Sequence, residues 1–244
     1  LEKIKVAAVN YLNTKPLLYG IGQHKVSESI DLIVDYPSKI AQSLINGEVD
    51  LGLVPVAVIP KLKEWKIISD FCIGTEGEVA SVCIFSEVPI DQIKKVLLDY
   101  QSRTSVKLAK LLLQQYWKVD VELVDATGED FRSDIKGETA GVVIGDRAFE
   151  QRLVSRYIYD LGTAWKAFTG LPFVFAAWVA NTQLTASFIS QFNEANALGV
   201  DNIDAVLKEL NYANFDLQHY YTRNISYTFD SEKRKGLEKF LSLI

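Results

Sequence analysis

In "KIKVAAV" (Lys3 to Val9) polar and apolar positions alternate and then give way to a wholly apolar run, the pattern of a strand buried on both faces of a parallel sheet. The polar turn "NYLNTKP" follows, and a helix is predicted to start near Pro16, because proline is tolerated in the first turn. "IDLIVDYP" reads as a second strand. Pro37 and Ser38 open the helix "SKIAQSLING", Gly47 ends it, and "VDLGLVP" is a third strand. Strand, helix and strand in this order form a βαβ unit and predict a parallel sheet.

The phrase "INGEVDLGLVP" (Ile45 to Pro55) returns in outline as "IKGETAGVVIG" (Ile135 to Gly145), with Ile, Gly and Glu in register and each phrase leading into an apolar strand. Another strand, turn and helix is predicted over "LLDYQSRTSVKLAKLLL" (Leu97 to Leu113). Together they suggest two α/β lobes of similar plan. No low-complexity linker separates them, so the crossings are assigned to two apolar runs rich in β-forming residues, "SVCIFS" (Ser81 to Ser86) outward and "LPFVFAAWVA" (Leu171 to Ala180) back. The expected lobes are residues 1–84 with 175–244, and residues 85–174. Beyond Ala180, "TASFISQFNEANALG", "NIDAVLKELNY" and a last helix from Asp230, with Leu237, Phe240, Leu241 and Ile244 on one face, are predicted helices that cover the first lobe and carry no candidate site.

Composition narrows the partners. The 244 residues are 48% hydrophobic, ample for a sizeable core, and the net charge is −5. An acidic surface attracts neither nucleic acid nor anionic lipid, so an anionic ligand has to be met by a local site. Cys72 and Cys83 fit neither a CxxC motif nor a disulfide framework and are expected to be reduced and buried. No apolar run approaches the roughly 20 residues that span a bilayer, and "LEKIKVAAVNYL" holds no long apolar core before a cleavage site; a soluble, cytoplasmic chain is expected. His24 and His219 are the only histidines, far apart in sequence, with no carboxylate or cysteine spaced to complete a metal site.

Candidate chemistry gathers at strand-to-helix turns. Ser102, Arg103, Thr104 and Ser105 stand where a helix begins, with its unpaired N–H groups and partial positive charge; hydroxyls and a planar guanidinium there suit a carboxylate. Ordinary capping would need a single hydroxyl. Asn10, Tyr11, Asn13 and Thr14 fall at the carboxyl end of the first strand, where open α/β sheets bind ligands, although Asn13 or Thr14 could instead cap the next helix. Ser38 is a plausible helix cap. Ser81, in "GTEGEVASV", would lie at the hinge, without the His or Lys partner of a triad nucleophile. Asp146, in "VVIGDRA", either caps a helix or binds a hydroxyl, and Thr169 and Gly170 stand at the return crossing.

The phrases "YLNTKPL", "LVPVAVIPKL", "SRTSVKLAKLLL", "IGDRA" and "DLGTAWKAFTGLPFVFAAW" resemble, in order and spacing, the chorismate dehydratase family of the futalosine route to menaquinone, over about Val6 to Trp178. The resemblance implies an α/β, two-lobed type II periplasmic-binding-protein-like fold used as an enzyme, with no metal or organic cofactor. The implied substrate is a small dicarboxylate, chorismate, which loses water to give 3-[(1-carboxyvinyl)oxy]benzoate. By motif, Asn13 and Ser81 are the implied catalytic pair. Ser102, Arg103, Thr104 and Ser105 are the implied carboxylate site. Asn10, Ser38, Asp146, Thr169 and Gly170 are further substrate-binding candidates by their place at the edges of the expected cleft. Alternatives are a solute-binding protein for a small carboxylate and the sibling enzyme, 1,4-dihydroxy-6-naphthoate synthase.

Overall fold

In a computed structural model that describes residues 3–210 and 212–244, Glu129 by its backbone alone, the first βαβ unit forms as its pattern predicts. β1 (Ile4–Val9) lies parallel to β2 (Ile30–Asp35) on one side and β3 (Leu51–Pro55) on the other, with α1 (Lys15–Gln23) and α2 (Pro37–Ile45) as crossovers. Val6, Ala7 and Ala8 are fully buried, which explains why the run stops alternating. β4 (Lys66–Thr75), β10 (Phe173–Ala180) and β11 (Ser226–Thr228) complete a six-stranded sheet in the order β11-β4-β10-β3-β1-β2. The second sheet has five strands: β5 (Val82–Ser86), β6 (Lys95–Leu98), β7 (Glu122–Asp125), β8 (Thr139–Ile144) and β9 (Tyr157–Asp160), in the order β7-β6-β8-β5-β9. Its helices are α3 (Arg103–Leu111), α4 (Arg147–Arg152) and α5 (Leu161–Thr169).

Two sheets with their own helices give the expected two α/β lobes, but neither apolar run spans both sheets. β5 pairs with β8 and β9 throughout, and β10 pairs with β3 and β4. The chain therefore changes sheets just before each run, at 76–81 outward and through α5 and 170–172 on return. The lobe limits expected at 84/85 and 174/175 fall inside β5 and β10. Hydrophobic runs report burial, and a strand buried within one sheet looks the same as one that crosses between two. The related phrases at Ile45 and Ile135 do share a turn: Gly47 and Gly137 have φ of +71° and +57°, a conformation that favours glycine, and each leads to a strand beside a parallel neighbour.

The C-terminal helices α6 (Ala186–Val200), α7 (Ile203–Glu209) and α9 (Ser231–Leu241) lie on the predicted phrases, of which position 211 lies outside the described residues, and a short α8 (Leu217–His219) stands where no helix was predicted. α6 packs on α1 at glycine contacts, since a Cβ on Gly199 would fall 1.8 Å from the Pro16 carbonyl oxygen. Leu237 and Phe240 of α9 enter the core, whereas Ile244 stays exposed. Cys72 and Cys83 are free and buried. No helix among the described residues is long and apolar enough to cross a membrane.

Candidate active site

A narrow cavity of about 50 Å³ lies where the two sheets meet. Val9, Pro37, Pro55, Ile73, Phe175 and Ala176 of the first lobe and Val82, Ile144 and Gly145 of the second make it largely apolar, with Val79 contributed by the passage between them. Its polar groups come from two places: Tyr11, Asn13 and Thr14 after β1, and Ser102 and Ser105 at the start of α3. The turn after the first strand and the "SRTS" helix start, about ninety positions apart in sequence, thus face one space.

The helix start combines capping with backbone donors left open beside it. Ser102 is the N-cap residue and its Oγ accepts from the Ser105 N–H at 3.1 Å, while donating to Ser105 Oγ at 3.0 Å. Thr104 Oγ1 accepts the Ala57 N–H at 3.1 Å and so ties α3 to the first lobe. By position the Arg103 and Thr104 N–H groups have no intrahelical acceptor, leaving donors beside the two cavity serines. Arg103 itself is half-buried, lies off the cavity wall, and has no side-chain partner among the described residues.

The first-strand turn is held from both lobes. Tyr11 donates its hydroxyl to Gln101 Oε1, and the Leu12 N–H donates to Asp146 Oδ1 at 3.0 Å. Burial pushes the Tyr11 hydroxyl well above the usual tyrosine range, against the nearby Arg147 guanidinium. Burial also raises the Asp146 carboxyl, with the Leu12 hydrogen bond opposing. Asn13 and Thr14 do not cap α1 through their side chains; Thr14 Oγ1 donates to Asn13 Oδ1 at 3.1 Å, which fixes the amide at the cavity wall.

Behind that wall stands Ser81, fully buried between the lining residues Val79 and Val82. Its neighbour Ala80 has φ +63°, outside the comfortable range for a residue with a Cβ. Asp160 holds this bend, accepting the Val79 N–H at 3.1 Å and the Ala80 N–H at 2.8 Å while capping α5 through the Thr163 N–H at 2.9 Å. Ser81 Oγ accepts the Tyr220 hydroxyl at 2.7 Å, and the Tyr227 hydroxyl donates to the Asn13 carbonyl at 2.8 Å. Both tyrosines come from the C-terminal segment in which the sequence pattern marked no site. Their partners lie 139 and 214 positions away, and no local signal reports such a contact.

The other expected site residues lie off the wall. Asn10 is exposed and bonds Lys15 Nζ at 3.1 Å. Ser38 sits inside α2, beside the lining Pro37, and is not its cap, because Tyr36 takes that position. Asp146 occupies the N-cap position of α4 but sends its side chain to Leu12 rather than to its own helix. Thr169 and Gly170 finish α5: Thr169 Oγ1 donates to the Trp165 carbonyl at 2.8 Å, and Gly170 takes the left-handed cap at φ +76°. Buried behind the helix start, Asp99 accepts from Arg147 at 2.8 Å and from the Gln101 N–H at 2.9 Å. No group of three His, Cys, Asp or Glu residues able to hold a metal occurs among the described residues.

Comparison with known proteins identifies the fold and the family. Protein AF1704 from Archaeoglobus fulgidus superposes with a TM-score of 0.80 at 15% identity, covering 99% of this chain and 96% of that one. The periplasmic aliphatic sulphonate binding protein SsuA from Escherichia coli superposes at 0.65 and 15% identity, covering 100% and 91%. The Candida albicans CA3427 product, described as having the generic periplasmic binding protein fold, gives 0.66 at 16%, covering 100% and 90%. The fold is therefore periplasmic-binding-protein-like. In sequence, the chain is 27% identical to a chorismate dehydratase from Thermus thermophilus, over 94% of this chain and 91% of that protein. A family model described as menaquinone biosynthesis matches residues 4–244, and with that span the chain belongs to the menaquinone biosynthesis family.

Proposed function

We propose that the protein is a chorismate dehydratase, converting chorismate to 3-[(1-carboxyvinyl)oxy]benzoate in the futalosine route to menaquinone. The observation that carries this reading is the pairing of an amide-bearing turn with an anion-ready helix start across one largely apolar cavity between the sheets. The similarity to the Thermus enzyme supplies the substrate.

In this reading one carboxylate of chorismate meets the serine hydroxyls and the first-turn N–H groups of α3, where the helix dipole favours negative charge. Arg103 supplies a charge-assisted bond to the anion as the lobes close on it. The ring packs against Phe175 and the aliphatic wall, and Asn13 and Ser81 act at the ring hydroxyl. The C3–H electron pair becomes a ring double bond as the C4–O bond breaks, and the C3 proton with the departing hydroxyl makes the water released. Aromatisation drives the step and lessens the need for a strong base. Neither histidine lines the cavity, so the proton passes to an oxygen base, a substrate carboxylate or a water, while Asn13 hydrogen-bonds the developing charge.

Incubation of the purified protein with chorismate, followed by chromatography of the products, tests the reading. Enolpyruvyl-oxybenzoate is expected. Chorismate that is bound and then released unchanged would point instead to a carboxylate-binding protein, a solute-binding use of the fold like that of the sulphonate binding protein SsuA.

A further inference from the structure

Ser81 is tied by its backbone on both sides, its N–H donating to the Val79 carbonyl and its carbonyl accepting the Gly145 N–H, each at 2.8 Å. Its side chain has one firm bond, and in that bond it accepts, from the Tyr220 hydroxyl at 2.7 Å. The remaining contact that could take the serine's own proton is the Val79 carbonyl at 3.5 Å, at the limit of a hydrogen bond. The serine proton therefore has no firm acceptor and is left for a ligand oxygen that reaches past Val79 and Val82, behind which Ser81 stands fully buried.

Tyr220 cannot easily swing away. Its ring is fully buried, edge-on to Phe149 at 5.0 Å and to Phe215 at 6.1 Å, so aromatic residues from α4 and from the segment before α8 fix the direction of the hydroxyl. It lies on a single π-helical turn, Tyr220–Asn224, which also sends Asn224 Nδ2 to the Glu78 carbonyl at 3.3 Å. Such turns are frequent at functional sites. From the same segment Tyr227 holds the Asn13 carbonyl, so one stretch of chain braces both cavity-side candidates.

We propose that Tyr220 is a positioning residue for the dehydration, orienting Ser81 as a hydrogen-bond donor toward the departing ring hydroxyl; this rests on the dehydratase reading above. Burial keeps the Tyr220 hydroxyl well above the usual tyrosine range, so it remains a donor throughout the neutral region, while Ser81 and the nearby Asn13 side chain pull the other way.

The test is a kinetic cycle on the full chain with chorismate: wild type, Tyr220→Phe, Ser81→Ala and the double variant, with thermal melts to confirm folding. Tyr220→Phe keeps the ring and its aromatic contacts. It is expected to lower kcat roughly 10- to 100-fold with KM little changed, the size of effect that misplacing a reacting group by about an ångström produces. Because Tyr220 acts through Ser81, the double variant is expected to match Ser81→Ala. A wild-type kcat in Tyr220→Phe, a change in KM alone, or losses that multiply fully in the double variant would each overturn the assignment while leaving the dehydratase reading intact. A wild type that leaves chorismate unchanged overturns both. If Tyr220→Phe does not fold, Tyr220→3-fluorotyrosine retains ring and hydroxyl while strengthening the donor; a changed kcat supports the assignment and an unchanged one overturns it.

Discussion

Replacing Thr104 with valine keeps the side chain's shape and removes one oxygen. That oxygen accepts the Ala57 N–H at 3.1 Å across the lobes, and both residues are almost fully buried, at 1% and 2% exposure. The substitution leaves a backbone donor with no partner, which costs about 1 to 3 kcal/mol in a closed, dry contact. If the lobes stay shut, the cost falls on folding and lowers the melting temperature by roughly 2 to 4 °C per kcal/mol for a chain of this size. If they part and water reaches Ala57, the cost falls on closure, and the closed population drops roughly 5- to 150-fold relative to the open one. Chorismate affinity then weakens while the melt moves less. Calorimetric titration beside a thermal melt on Thr104→Val separates the two outcomes. If affinity and melting temperature both match the wild type, the Ala57 contact does not hold the lobes together and the reasoning fails.

Three further predictions concern the cavity and its edges. Arg103→Ala is expected to weaken chorismate binding by roughly 2 to 5 kcal/mol if the guanidinium closes on a buried carboxylate; an unchanged titration would assign Arg103 to the surface. Asn13→Ala should lower kcat more than it raises KM, and parallel changes in steady-state kinetics would argue against a transition-state role. Asp146 has its folded-state pKa raised above the ordinary 3.8, chiefly by burial, so between those two values the folded protein holds more protons than the unfolded chain. Its contribution to stability therefore declines as pH rises through that window. Melts of the wild type and Asp146→Asn from pH 4 to 7 should show the wild type losing ground to the variant as pH increases, and the opposite trend would contradict the assigned burial cost.

What the sequence revealed depended on how local the cause was. The βαβ unit at Lys3 to Pro55 and the existence of a strand in "LPFVFAAWVA", though not its crossing between sheets, follow from periodicity and glycine chemistry within a few residues of one another and appear where expected, while Ser102 also takes the ordinary capping role that the expected carboxylate site was weighed against. That the loop at Asn13 and the helix start at Ser102 share a cavity was legible because both follow a parallel strand at its carboxyl end. Ser38 was misread because Tyr36 already supplies the extended residue before Pro37, a one-position shift that propensity does not resolve. Tyr220 and Asp160 were invisible for a different reason. A tyrosine in "QHYYTR" and an aspartate in "YIYDLG" look like any others until folding brings them against Ser81 and Ala80.

The position of β10 between β3 and β4 bears on how the polypeptide matures as it leaves the ribosome. Until residues 173–180 are made, β3 and β4 face each other across a missing strand, with backbone donors and acceptors open on both sides. About a hundred residues separate β4 from β10, which at ordinary elongation speeds is a delay of roughly 5 to 20 s. During that delay all five strands of the second sheet, β5 to β9, are made, while β3 and β4 wait with open edges for the strand that joins them.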